Sequence, residues 1–236
     1  SYPSSTKSLM RKATARRRKP IVREYEAERH QNVLLMLDAG RMMTATVGSL
    51  TKLDCAVNAA LLVTHAAITH GDKVGLLVFA EEVLAYVPPR AGRQQIGRVL
   101  EALYRIQPSL IEPDYGAAFR YLATRRLQRA LILVFTDLVD ARASARLLRH
   151  AAALMPHHLA LLTAIADPAL ERYAREAPAA VGTVYRQAVA RDLLEDRAEA
   201  LKGITARGGL ALDVPPDGLN IAVVNRYLEV KRRGLL

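Results

Sequence analysis

Tryptophan is absent from the sequence, phenylalanine occurs three times, and cysteine occurs once, as Cys55. The core must therefore be built mainly from aliphatic side chains, and the 236 residues, 51% of them hydrophobic, are enough for a sizeable one. A lone cysteine excludes a framework of internal disulfides and is typical of proteins in a reducing compartment. We therefore expect an aliphatic core and a cytoplasmic location.

Long apolar segments are missing as well. No run approaches the roughly 20 apolar residues that a membrane-spanning helix needs. No signal peptide can be recognised either. We therefore expect contact with a membrane only through segments outside this chain, which could make it the soluble part of a membrane-anchored protein.

The common catalytic motifs are also absent. The sequence contains no GxxxxGKS or GxxxxGKT, no GxGxxG after a strand, no HExxH and no GxSxG. Cys55 falls within an apolar helical pattern, which favours packing over nucleophilic use, and His157 and His158 begin a predicted strand. We therefore expect a protein that is not an enzyme.

Basic side chains are unevenly distributed. The net charge is +11, but residues 1–20 hold seven basic residues and no acid, which leaves +4 for residues 21–236. Such a run can bind nucleic acid or anionic lipid, or remain a solvated arm. No aromatic residue interleaves with the run, which disfavours binding to single strands. We interpret residues 1–20 as a basic arm, or as the remnant of an upstream region, and do not expect nucleic acid as the main partner.

Apolar runs alternate with segments of helical periodicity from residue 33 onward. Strands are predicted at residues 33–37, 73–79, 83–87, 130–135, 158–165 and 210–214, and helices at 51–70, 94–106, 114–126, 141–154, 168–176, 182–203 and 217–231. The second and third strands can form a hairpin, and Pro88 and Pro89 are expected to end the third. The pattern predicts a three-layer α/β fold with a doubly wound, mostly parallel sheet and one antiparallel edge strand, formed by residues 21–236 as a single domain.

Acidic residues follow several of the predicted strands. Asp38 ends the first strand, Asp114 opens the helix at 114–126, and the strand at 130–135 is followed by Thr136, Asp137 and Asp140. Ligands of doubly wound sheets bind beyond the carboxyl ends of the strands, so we expect Asp38, Asp114 and Asp137 at one end of the sheet. Their carboxylates could hold a hard cation such as Mg²⁺ or Ca²⁺, or each could cap a helix.

Several stretches resemble a von Willebrand factor A domain: the apolar strand that ends at Asp38 and GRMM after it, then TKLDCAVNAALLV, GDKVGLLVF and LILVFTDLVD. The whole span from residue 12 to residue 236 is similar to the bacterial domain-of-unknown-function fifty-eight family. The most specific stretches are KATARRRKPIVREYEAER, EPDYGAAFRYL and VNRYLEVKRRG. The resemblance implies the Rossmann-like fold of the von Willebrand A group.

The resemblance also implies a metal site and shows where this sequence departs from it. In the wider group, an Asp-x-Ser-x-Ser motif, a threonine and a second aspartate hold Mg²⁺. Here Asp38 and Asp137 match the two aspartates, but Gly40 and Met42 replace the serines and Asp114 replaces the threonine. Because two neutral oxygen ligands are lost, we expect a degenerate site that binds Mg²⁺ or Ca²⁺ weakly or not at all.

Four further residues near these acids are candidates for contact with a partner: Arg41, Met42, Thr44 and Thr136. Arg41 is expected to pair with Asp114 or Asp137 in place of a cation, because unpaired acids at one end of a sheet repel each other. The alternative is that Arg41 projects towards a partner. Met42 is expected to anchor its loop by packing, with an adaptable contact to a partner as the alternative.

The family is encoded beside MoxR-type AAA+ ATPases, so the resemblance implies an adaptor that acts with such an ATPase on a client protein during assembly or maturation. We therefore expect a protein-interaction module whose docking face is the acidic end of the sheet. Two alternatives remain open. The basic arm could bind nucleic acid or an anionic membrane, or the acidic residues could hold a divalent ion for hydrolysis.

Overall fold

The computed structural model describes residues 30–138, 141–177 and 181–236, with only the backbone for residues 141–143. The basic arm and Asp140 lie outside these residues, so the expectations for them stay predictions. Within the described ranges, no helix combines the length and the apolar character that a membrane span requires.

A six-stranded sheet forms the centre of the described residues. Its strands are β1 (Asn32–Asp38), β4 (Lys73–Phe79), β5 (Val83–Arg90), β6 (Ala130–Thr136), β7 (Leu159–Ile165) and β8 (Leu210–Val214), in the order β5-β4-β1-β6-β7-β8. All neighbours are parallel except β4 and β5, which form an antiparallel hairpin. This arrangement confirms the predicted fold class.

Helices cover both faces of the sheet. They are α1 (Lys52–Thr69), α2 (Gln94–Tyr104), α3 (Tyr115–Ala123), α4 (Ala141–Leu154), α5 (Pro168–Arg175), α6 (Val181–Ala206) and α7 (Pro216–Arg232). A 3₁₀ helix at Arg41–Thr44 and a small hairpin of β2 (Thr46–Val47) and β3 (Leu50–Thr51) lie between β1 and α1. The sequence did not predict these short elements, because none is long enough to show a periodic apolar pattern.

Side chains along β1 alternate between two cores. Val33, Leu35 and Leu37 belong to the core covered by α1, α2 and α7, whereas Leu34 and Met36 belong to the core covered by α3, α4 and α6. All five side chains are fully buried. Burial on both faces explains why the central strands are continuous apolar runs rather than alternating ones.

The edge strand β5 is longer than predicted. It continues through Pro88 and Pro89 to Arg90, where we expected the prolines to end it. Its register against β4 shifts between Val74 and Leu76, so the prolines lie opposite Gly75. A Cβ atom on Gly75 would come within 2.8 Å of Pro89. Proline is tolerated here because an edge strand pairs on one side only.

The sheet has two distinct ends. The carboxyl end is the end at which the parallel strands finish, and the amino end is the opposite one. The chain adds β4 and β5 on one side of β1 and then β6, β7 and β8 on the other, so the strand order reverses between β1 and β6. Ligands of doubly wound sheets bind at the carboxyl end of such a reversal, which here carries Asp38 and Thr136.

The last helix is fixed to the amino end by a buried aspartate, Asp72, in the turn between α1 and β4. Its Oδ2 accepts a hydrogen bond of 2.6 Å from the Tyr227 hydroxyl. Its Oδ1 accepts one of 2.6 Å from Lys231 Nζ and one of 3.0 Å from the backbone amide of Gln31. The specific stretch VNRYLEVKRRG therefore supplies two of the three groups that satisfy this carboxylate.

Candidate functional site

Asp38, Tyr115 and Thr136 form a buried polar cluster at the carboxyl end, called the Asp38 cluster below. Asp38 Oδ2 accepts hydrogen bonds from the hydroxyl groups of Thr136, at 2.7 Å, and Tyr115, at 3.2 Å. The two hydroxyl oxygens are 2.9 Å apart. Asp38 Oδ1 accepts a 2.7 Å bond from the amide of Gly40. Both carboxylate oxygens are thus satisfied from within the chain.

Burial dominates the electrostatics of the Asp38 cluster. Asp38 is 1% exposed, and loss of solvent raises the pKa of its carboxyl from 3.8 to about 6, although the bonds from Gly40, Thr136 and Tyr115 act in the opposite direction. Burial, reinforced by the nearby Asp38 carboxylate, raises the pKa of the Tyr115 hydroxyl well above its usual value. Tyr115 therefore remains a neutral hydrogen-bond donor.

Asp137 faces a second buried group, the Lys52–Arg197 network. Asp137 Oδ2 is 2.6 Å from Lys52 Nζ, and Oδ1 is 2.8 Å from Arg197 Nη1. The Lys52 ammonium also lies 3.9 Å from Asp167, and Arg197 donates to Asp213 from Nε at 2.9 Å and from Nη2 at 2.7 Å. The three central side chains are almost completely buried. The network joins Asp137 and Asp167, which follow β6 and β7, and Asp213 near the end of β8 to the start of α1 and the middle of α6.

Asp114 is a helix cap at the same end of the sheet. Its carboxylate accepts a 3.0 Å bond from the amide of Ala117 and lies 3.6 Å from Arg120, and its side chain is half exposed. Its own amide donates to the carbonyl of Ala80, which follows β4. The three predicted acids thus lie at the carboxyl end, but their carboxylates serve three different sets of partners. Asp114 therefore fits the alternative that these acids cap helices.

These donor sets do not fit the divalent ion that the resemblance implies. A divalent ion would have to displace hydroxyl and amide donors from Asp38, and an ammonium and a guanidinium group from Asp137. Over residues 30–138, 141–177 and 181–236, no three His, Cys, Asp or Glu side chains converge as a metal site. Weak or absent binding of Mg²⁺ or Ca²⁺ stays a prediction for titration to decide.

Arg41 does not pair with Asp114 or Asp137, so that expectation was wrong. Its Nη2 lies 3.2 Å from Oε2 of Glu112, whose Oε1 is 3.8 Å from Arg146. Asp137 could not recruit Arg41 because it is buried and already neutralised by Lys52 and Arg197. The Arg41 and Glu112 side chains are both more than one-third exposed, so this pair lies on the surface.

The other candidate contact residues differ in accessibility. Met42 is half-buried, whereas the neighbouring Met43 is fully buried and anchors the loop. Thr44 donates its hydroxyl to the carbonyl of Arg41 at 2.7 Å and so closes the 3₁₀ helix. Thr136 is fully buried in the Asp38 cluster. A partner could not reach Thr136 in this conformation, which corrects its assignment as a contact residue.

The loop at residues 107–113 leads into α3 at the carboxyl end, where it was expected, but its exposed apolar side chains were not predicted as part of the site. Its backbone is held against the loop after β1 by two hydrogen bonds of 2.8 Å, from Ser109 to Ala39 and from Arg41 to Ile111. Leu110 is 79% exposed and Ile111 is 47% exposed. The loop therefore presents two aliphatic side chains beside the Arg41–Glu112 ion pair. Single exposed residues in a loop carry no sequence pattern that would have revealed this.

A cavity of about 730 Å³ opens at the ends of β7 and β8. The guanidinium carbons of Arg172 and Arg186 lie 6.0 and 5.9 Å from the ring centre of Tyr173, which lines the cavity. The lining comprises Ala166, Pro168, Glu171, Arg172, Tyr173, Arg175, Glu176 and Pro215. The carboxyl end thus has, at β7 and β8, a concave surface that includes charged side chains.

Solved structures share this fold. The VWA domain of SpRpn10 superposes with a TM-score of 0.51 and 13% identity, over 84% of this chain and 95% of that domain. The PilB minor pilin from Streptococcus sanguinis gives a TM-score of 0.55 and 10% identity over 91% of this chain, which spans 63% of the pilin chain. At these identities the likeness concerns the fold alone, and it confirms the predicted von Willebrand A architecture.

Sequence comparisons identify the family. The chain is 25% identical to the protein "Uncharacterized protein Rv1480" from Mycobacterium tuberculosis over an alignment of 240 residues. This alignment covers 94% of this chain and 74% of that protein. The model of the family described as "Protein of unknown function DUF58" matches residues 6–187. Because the match covers most of the chain, this chain belongs to the DUF58 family and carries its domain on a von Willebrand A fold.

Proposed function

We propose that this chain is a non-enzymatic protein-interaction module that docks through the carboxyl end of its sheet. We further propose that it is an adaptor between a MoxR-type AAA+ ATPase and a client protein, the partner class that the family resemblance implies. The observation that carries the proposal is the exposed apolar loop at residues 107–113, held firmly beside a charged pair.

The chemistry of this surface is that of a protein interface. Leu110 and Ile111 provide exposed apolar area, and Arg41 and Glu112 lie next to them. Stable interfaces commonly combine an apolar centre with a polar rim, and arginine is enriched in them. Backbone hydrogen bonds between the loop and Ala39 and Arg41 hold the backbone that carries these side chains. A preordered surface loses less conformational entropy on binding, which favours affinity.

The buried groups behind the loop support the same proposal. The Asp38 cluster satisfies its hydrogen-bonding groups within the chain, and the Lys52–Arg197 network pairs its charges there, so we propose that both stiffen the ends of β1 and β6. Neither group offers an activated nucleophile with a free base beside it. We propose that they shape the docking surface rather than act on a substrate.

The test is capture of a purified MoxR-type AAA+ ATPase from the same organism by the immobilised full chain. Leu110→Asp and Arg41→Glu should each weaken capture at least tenfold, because they place a charge in the apolar centre or reverse one at the rim. Leu62→Asp is the matched control. Leu62 is an exposed aliphatic residue in the middle of α1, away from the carboxyl end.

Two outcomes would contradict the proposal. If the wild-type chain does not capture the ATPase with or without ATP, the proposed partner class is wrong. If capture occurs but Leu110→Asp, Arg41→Glu and Leu62→Asp all match the wild type, the docking surface is wrongly placed. Unchanged circular dichroism spectra of the variants would exclude unfolding as the cause of any loss.

A further inference from the structure

The Asp137 carboxylate is neutralised by two cationic side chains from distant parts of the chain. Lys52 Nζ lies 2.6 Å from one oxygen and Arg197 Nη1 lies 2.8 Å from the other. Lys52 is 2% exposed and Arg197 is 4% exposed. Lysine is almost never so deeply buried unless its charge is paired. The ammonium group is therefore held in the protein by this carboxylate.

The position of Lys52 is unusual for a lysine in a helix. It is the first residue of α1, where the helix dipole disfavours a positive charge. A capping box fixes this helix start, because Thr51 accepts from the amide of Asp54 while Asp54 accepts from the amide of Thr51. The amide of Lys52 also donates to the carbonyl of Ala45 at 2.8 Å. Local structure thus places the backbone firmly, while the distant acid Asp137 determines where the ammonium lies.

The resemblance assigns Asp137 to a metal site, and the donors around it do not fit a divalent ion. We propose that the Lys52 ammonium, rather than a divalent ion, is the permanent cation of the carboxyl end, assisted by Arg197. The ammonium neutralises Asp137 and lies 3.9 Å from Asp167, so it links the loops that follow β6 and β7. The carboxyl end then keeps its shape in the absence of Mg²⁺ or Ca²⁺.

This inference deepens the proposed function, since it states how the same docking end is stabilised. It can nevertheless fail independently, because its test uses metal ions alone and no partner protein. Failure of the metal test would leave ATPase capture unaffected, and failure of capture would leave the metal test unaffected.

The experiment measures binding of Mn²⁺, Mg²⁺ and Ca²⁺ by calorimetry, and the thermal unfolding midpoint in each ion, for the full chain. At equal ionic strength, the wild-type chain should show no binding heat and no ion-specific shift. Lys52→Ala leaves the Asp137 oxygen without its ammonium and should gain Mn²⁺ binding. Its midpoint should then rise by about 3–5 °C for each tenfold increase of Mn²⁺ above the dissociation constant.

Lys231→Ala is the matched control. It removes an ammonium from Asp72, a second buried aspartate whose carboxylate lies 2.6 Å from a lysine, at the amino end of the sheet. This variant should lose stability without gaining a response to Mn²⁺. Lys52→Arg, which keeps a positive charge, should respond to Mn²⁺ as little as the wild type.

The proposal is overturned if the wild-type chain binds any of the three ions and Asp137→Asn abolishes that binding. It is also overturned if Lys52→Ala folds but responds to Mn²⁺ no more than Lys231→Ala does. If Lys52→Ala does not fold, the titration of the wild-type chain decides. Metal binding by the wild type that Asp137→Asn abolishes contradicts the proposal, and absence of metal binding by the wild type supports it.

Discussion

The hydroxyl of Tyr227 lies 2.6 Å from Oδ2 of Asp72 and joins the last helix to the turn before β4. Both side chains are almost completely buried. Burial, together with the bond to Asp72, raises the pKa of the Tyr227 hydroxyl, so it remains a neutral donor. The contact links residues 155 positions apart and anchors α7 at the amino end of the sheet.

Tyr227→Phe should lower the free energy of unfolding by about 1–3 kcal/mol, because it removes a donor to a buried charged acceptor and leaves the ring in place. Urea denaturation measures this loss. Tyr104→Phe is the control, since Tyr104 is 86% exposed, and it should stay within about 0.5 kcal/mol of the wild type. Equal effects of the two substitutions would show that the buried contact does not stabilise the fold.

The stability of the chain should depend on pH through Asp38. Its pKa is about 6 in the folded chain against 3.8 for an ordinary aspartate, so the folded state favours the protonated form. The stabilisation from that proton is complete below the lower value and is lost as the pH rises through about 6. Asparagine stays neutral. The free energy of unfolding of Asp38→Asn should therefore rise relative to wild type by about 2 kcal/mol from pH 4 to 7.

Urea denaturation of both proteins at a series of pH values measures this difference. An NMR titration of the Asp38 carboxyl carbon measures the pKa directly. A difference between the two proteins that does not change with pH would show that Asp38 is not the titrating group.

Gly40→Ala should destabilise the fold by about 1–3 kcal/mol, since an added methyl group would overpack the loop after β1. A Cβ atom at this position would lie 2.8 Å from Pro113 Cδ and 2.9 Å from the carbonyl oxygen of Ile111. Gly97→Ala in α2 is the control, because a Cβ atom there meets no neighbouring atom within 4 Å. It should stabilise the chain by about 0.5–1 kcal/mol through its higher helix propensity. Thermal denaturation distinguishes the opposite signs.

Cys55 should react slowly with thiol reagents in the folded chain. It is 7% exposed, and burial, followed by the neighbouring Asp54 charge, raises the pKa of its thiol. Both effects reduce the concentration of accessible thiolate, which is the reactive form. The rate of reaction with a chromogenic disulfide should therefore increase at least tenfold when the chain is unfolded in urea. Equal rates in the two states would contradict the expectation that Cys55 is inert.

The sheet could be predicted from the sequence because its signals are local. The buried strands β1 and β6 are continuous apolar runs, and their predicted ranges differ from the observed ones by one or two residues. The strand that was predicted too short, β5, contains Pro88 and Pro89. Proline ends a central strand but not an edge strand, and the position of a strand in the sheet depends on pairing that the local sequence does not show.

The site was less predictable because it depends on contacts between distant residues. The capping role of Asp114 was an open alternative because the rule for helix starts is local. Lys52 and Arg197 were not expected in the site. They lie 85 and 60 positions from Asp137, and a lysine or an arginine in a helix is usually on the surface. The need for a cation near Asp137 was foreseen, but Arg41 was the wrong residue to supply it.

The two prolines of β5 also affect how the molecule behaves among its neighbours at high concentration. Neither Pro88 nor Pro89 carries an amide proton, so a strand from another molecule cannot obtain a regular ladder of bonds along this side of the sheet. Strand exchange and amyloid-like stacking are therefore hindered at this edge by the covalent structure of the two prolines. Replacing these prolines would expose the chain to aggregation even where its folding energy was unchanged.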